Sequence, residues 1–99
     1  MSETAQSILG RAPEFAEADI ALQKRLRWQC RRGMLEMDFL LRRYIDTAFL
    51  SSTPEAKVSF EALLCLEDDV LWDYLLGIKT PNETDFQQLL NAIRVGFTA

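Results

Sequence analysis

Met34, Met37, Leu41, Tyr44 and Ala48 recur every three or four residues directly after Gly33, and that spacing is the one an α-helix uses to bury a stripe against a core. Gly33 interrupts two helix-forming stretches and predicts a turn into this helix. Two apolar residues fall off the stripe. At about 100° per residue, Leu35 and Phe39 point to the opposite side as an i,i+4 pair among Glu36, Arg42 and Arg43. The pattern is therefore a core helix whose polar face carries an apolar patch ringed by charge, beside a glycine and an arginine run. A globular domain has no internal need for such a patch.

The rest of the chain repeats the helical period. Residues 1–19 are polar and alanine-rich with Gly10 and Pro13 as breakers, and are expected to form a loosely structured extension; residues 20–99 form one domain. A first helix is expected from Ile20 to near Arg31, with Leu22, Leu26 and Cys30 inward and Trp28 at the core or its edge. The second runs from about Met34 to Phe49, with Glu36 and Asp38 near its positive end. Ser52-Thr53-Pro54 is a hydroxyl cap followed by proline at the first helical position, opening a third helix to about Leu66. There Val58, Phe60, Leu63 and Leu64 are expected inward and Lys57 and Glu61 paired at i,i+4. Glu67-Asp68-Asp69 is a solvated corner where Asp68 can cap a fourth helix, Val70 to Leu76, stopped by Gly77. After Pro81, Asn82 or Thr84 can cap a fifth helix that presents Phe86, Leu89, Leu90 and Ile93 and ends at Gly96. No stretch alternates as a strand does. The fold class is all-α, a small bundle of about five short helices.

Composition narrows the chemistry. The chain has no histidine, which removes the commonest general base and the Ser-His and Cys-His dyads, and it has no phosphate-cradling glycine loop. No catalytic residue and no metal ligand is assigned, since Glu67, Asp68 and Asp69 are accounted for by a helix start. Cys30 and Cys65 are too few for a disulfide framework and read as small buried hydrophobes, although Arg27 and Arg31 beside Cys30 could lower a thiol pKa. The formal charge of −4 is unevenly spread: residues 24–43 hold seven basic and two acidic residues, and residues 51–99 hold three basic and eight acidic. The basic run suggests phosphate contacts, but a pI near 4.7 and the interleaved Glu36 and Asp38 argue against nucleic acid. With no membrane-length apolar segment and no charged leader before an apolar run, a cytoplasmic protein is expected.

The run Arg31-Arg32-Gly33-Met34-Leu35-Glu36-Met37-Asp38 resembles the signature of the SdhE family, small helical factors that promote covalent attachment of FAD to the flavoprotein subunit of succinate dehydrogenase. Arg32, Gly33 and Glu36 match its R-G-x-x-E motif. The segment from Leu63-Leu64 to Leu71-Trp72-Asp73-Tyr74-Leu75 extends the likeness, which covers about Leu22 to Ile93. Val70 stands where the family usually has aspartate and Tyr74 where it usually has tryptophan, and the extension before the domain is longer.

The resemblance implies a five-helix chaperone, not itself an enzyme, that is a monomer when free. It implies docking near the partner's FAD site, with fumarate reductase as a second client, and no stably bound cofactor beyond the FAD of the partner subunit. The partner-binding residues it implies are Arg31, Arg32, Gly33, Leu35, Glu36, Phe39 and Arg43. In this reading Gly33 permits close backbone approach, Arg32 offers a planar fork to a carboxylate or carbonyl, and Leu35 and Phe39 form the apolar centre. The rival reading is an interaction protein with another target, such as an antitoxin.

Overall fold

The computed structural model describes residues 15–98, with side chains through residue 95. The extension expected over residues 1–19 therefore lies mostly outside the described residues. Among the described residues five helices follow one another: α1 Glu17–Gln29, α2 Leu35–Thr47, α3 Pro54–Leu63, α4 Asp68–Leu76 and α5 Thr84–Thr98. The all-α reading holds. α5 packs across both α2 and α3, α1 lies against α2, and α4 against α5.

The stripe on α2 supplies the centre of the core. Met37, Leu40, Leu41, Tyr44 and Ile45 are buried, with Met34 and Ala48 packed at its edge. Leu26 and Cys30 of α1, Phe60 and Leu63 of α3, Leu71 and Leu75 of α4, and Leu89, Leu90 and Ile93 of α5 close around it. Each large aliphatic or aromatic side chain so enclosed contributes about 1.5–3 kcal/mol. Phe60 joins two elements, its ring 5.1 Å from that of Tyr44 and 5.7 Å from that of Phe49.

Helix ends follow local chemistry where the sequence supplies it. Thr53 accepts a hydrogen bond from the Ala56 N–H while Pro54 occupies the first turn of α3, as a hydroxyl-proline start should. Gly77 stops α4 in the left-handed conformation at φ +79°, which glycine adopts without a Cβ penalty. The last turns of α2, α3 and α4 carry no basic residue of their own. Cations from elsewhere hold the carbonyls at or just beyond those ends: Lys57 donates to the Leu50 and Ser52 carbonyls after α2, Arg94 to Tyr74 and Leu75 in α4, and Arg32 to Leu64 and Leu66 after α3. The charges of Arg94 and Arg32 thus sit at the negative ends of the α4 and α3 dipoles, while Lys57 holds the loop between α2 and α3.

Several expectations are corrected. α1 starts at Glu17 instead of Ile20, because Glu17 and Asp19 favour its positive end. α3 stops at Leu63 instead of Leu66, where Leu64 and Leu66 give their carbonyls to Arg32. Val58 is exposed while Ser59 is buried, since Val58 lies about 200° around the wheel from Phe60. Lys57 does not pair with Glu61: its ammonium takes the loop carbonyls, and Glu61 meets Arg25 at 3.5 Å. α4 begins at Asp68, with Glu67 at the cap position, and Asp68 makes no cap hydrogen bond. α5 continues through Gly96 to Thr98. A glycine inside a helix costs only about 1 kcal/mol. Cys65 is exposed, unlike Cys30, because α3 has ended before it.

A candidate docking site at the arginine-glycine turn

Between α1 and α2 the chain turns in five residues, Cys30 to Met34, and side chains hold the turn. The Arg32 N–H donates to Asp38 Oδ1 at 2.8 Å and the Gly33 N–H to Asp38 Oδ2 at 3.0 Å. Asp38 lies one turn into α2, its own N–H bonded to the Met34 carbonyl, so its carboxylate folds back over the turn. Asp38 thereby satisfies two donors of the turn itself with an ionised acceptor, while Met34 at the cap position makes no side-chain cap hydrogen bond to α2. Sequence reading gave Asp38 only a dipole role; the signal was an acid five residues after a turn glycine. Gly33 has φ +83°, in the left-handed region, where a side chain is strained by roughly 1–2 kcal/mol. A Cβ built there meets nothing within 4 Å. The glycine is set by backbone conformation, and the space beside it is open.

Arg32 turns the other way. Its Nε donates to the Gln29 carbonyl at 3.0 Å, Nη1 to the Leu66 carbonyl at 3.0 Å and to Asp68 Oδ1 at 2.9 Å, and Nη2 to the Leu64 carbonyl. Its side chain is only 12% exposed. The fork that the resemblance offers to a partner is thus engaged inside the chain, tying the ends of α1 and α3 to the start of α4. Nor does Arg32 pair with Glu36, which is exposed and makes no ion pair among the described residues.

The outer face is the one the helical wheel marks. Leu35 is 82% and Phe39 58% exposed, and they line a shallow groove of about 570 Å³ with Arg31, Asp38, Arg42, Arg43, Asp46 and Thr47. A neighbouring groove, lined by Lys24, Arg27, Trp28, Arg31 and Arg42, shares two arginines with it, so the two form one continuous face. Trp28 was expected at the core or its edge, yet it is 71% exposed, with the Arg31 guanidinium 5.4 Å from its ring centroid. Leu26 and Cys30 take the buried side of α1, and Trp28, about 200° from Leu26, must face out. Among the described residues Lys24, Arg42 and Arg43 make no ion pair, whereas Arg27 meets Asp46 at 3.3 Å. The face combines apolar anchors, a tryptophan stacked with arginine and a surround of positive charge; aromatic residues and arginine are the types enriched at protein interfaces.

Nucleophilic chemistry finds no support in this site. Burial pushes the Cys30 thiol up to about 12, outweighing Arg32 and Arg42, which pull it down. It is a core residue, as expected. Asp68 is engaged by Arg32 and Asp69 by the Val70 N–H, and among the described residues no group of histidine, cysteine and acidic side chains is placed to hold a metal. Among the same residues, no helix is long and apolar enough to cross a membrane.

Residues 24–96 match the family model described as flavinator of succinate dehydrogenase. The FAD assembly factor SdhE of Coxiella burnetii is 44% identical over 71 residues, spanning 72% of this chain and 87% of that protein. That of Methylococcus capsulatus is 37% identical over 70 residues, covering 71% and 84%. No solved structure matches the chain. From Lys24 in α1 to the last turns of α5, this chain belongs to the family of succinate dehydrogenase flavinators.

Proposed function

We propose that this chain is a FAD assembly factor that binds the flavoprotein subunit of succinate dehydrogenase through the Gly33–Phe39 face and promotes covalent attachment of its flavin. The observation that carries the reading is the exposure of Leu35 and Phe39 among unpaired basic side chains, beside a glycine whose surroundings are open. Arg31, Gly33, Leu35, Glu36, Phe39 and Arg43 meet the partner, joined by Trp28 and Arg42. Arg32 belongs to the site by shaping the turn.

The chain acts as a chaperone and not as an enzyme. It has no histidine and its buried thiol stays protonated, so the bond to flavin is made by groups of the partner. A protein that contributes no reacting group still accelerates such a step by favouring the partner conformation in which flavin and nucleophile are aligned. FAD belongs to the partner and is not held stably here. The factor works in the cytoplasm, is a monomer when free, and serves the flavoprotein subunit of fumarate reductase as a second client.

Capture from the chain's own host tests this. The tagged full chain is expected to retain a flavoprotein subunit that fluoresces in a denaturing gel, where only covalent flavin survives. Retention of a toxin with no flavoprotein would contradict the proposal and favour the antitoxin reading.

A further inference from the structure

We infer that Asp68 is a positioning residue for the docking turn, acting through Arg32 from 36 positions away. The inference rests on the docking role proposed above for the Gly33 turn. Among the described residues, the N–H groups of Arg32 and Gly33 make no hydrogen bond to backbone, and Asp38 holds both. On its other side the turn is tied to the body of the domain by the Arg32 guanidinium. Three of the four acceptors of that guanidinium are backbone carbonyls, and Asp68 is the only charged one. All four bonds have an ionised donor, but only the one to Asp68 also has an ionised acceptor and forms an ion pair, so Asp68 sets the direction of the fork and thereby the path of the backbone leading into Gly33.

Asp68 itself stands off the docking face. It lines a cleft with Arg32, Cys65, Leu66, Glu67 and Asp69, and none of these residues lines either of the grooves around Trp28 and Phe39. Its effect on a partner therefore passes through Arg32. A turn already held in its bound conformation loses less entropy on docking, and freeing one end of it weakens binding without removing any contact. The first residue of α4 thus tunes a surface built by α1 and α2.

The test compares Asp68→Asn, Asp68→Glu and Asp69→Asn in the full chain, by capture of the host flavoprotein subunit and by amide hydrogen exchange in the free chain. Asp69 lies in the same helical turn and does not touch Arg32, so Asp69→Asn controls for the loss of charge at the helix start. Asp68→Asn is expected to weaken capture roughly five-fold, the scale of one partly exposed ion pair. It should also speed exchange at the Arg32 and Gly33 amides while leaving Leu89 and Leu90, in the core of α5, unchanged. Asp68→Glu, which keeps a carboxylate near the guanidinium, is expected to restore capture, and Asp69→Asn to behave as wild type. Unaltered capture by Asp68→Asn would overturn the inference. So would weakened capture with unaltered exchange at Arg32 and Gly33, since Asp68 would then meet the partner itself, or exchange accelerated equally at Leu89 and Leu90, since the effect would then be on global stability. If the wild-type chain captured no flavoprotein, the docking role would fall, and the exchange data would still decide whether Asp68 holds the turn.

Discussion

Gly33→Arg is expected to abolish covalent flavinylation of the partner while the protein stays folded. The two effects separate because the glycine is demanded by two different things. Its φ of +83° makes any side chain costly by roughly 1–2 kcal/mol, a loss that a domain of this size, stable by about 5 kcal/mol or more, survives. The expected fall in melting temperature is roughly 5–15 °C. Apart from Gly33 and its two chain neighbours, no atom of the described structure lies within 4 Å of a built Cβ, so the steric conflict expected is with a partner backbone that closes on the turn. Gly33→Ala carries the same strain with a methyl group and is expected to retain most capture. Thermal unfolding measured beside capture separates strain from obstruction: if Gly33→Arg melts as expected yet binds and flavinylates normally, the turn is not the docking surface.

The second large effect is expected from Leu35→Asp and Phe39→Asp. Both side chains are mostly exposed, and surface substitutions of this kind change stability by about 0.5 kcal/mol or less. As central anchors of an interface they are worth about 2 kcal/mol or more, which weakens capture roughly thirty-fold. Circular dichroism and melting should be near wild type for each. A large loss of stability would place them in the core, contrary to their observed exposure.

The apolar period told most about the fold. The stripe from Met34 to Ala48 identified the buried side of α2 and, by subtraction, the exposed Leu35 and Phe39, because both statements follow from one angle per residue. The same angle applied to Leu26 and Phe60 would have put Trp28 and Val58 outside; hydrophobicity alone suggested otherwise, and for Trp28 it concealed a member of the candidate site. Lys57 and Arg32 were illegible for another reason. Lys57 lies near enough the inward side of α3 for its ammonium to reach the carbonyls before that helix. Arg32 finds acceptors 32 to 36 positions away, and no local pattern announces a bond that exists only after α3 and α4 have packed. The arginine of the motif thereby changes role: a fork that looked free to a partner builds the turn that the partner meets.

Covalent flavin on the succinate dehydrogenase flavoprotein, measured by in-gel fluorescence per amount of subunit in a strain lacking this gene, tests the central claim most directly. Fluorescence is expected to fall severely on deletion, to return when the wild-type chain is supplied, and not to return with Gly33→Arg. Undiminished fluorescence of that band in the deletion strain would contradict it.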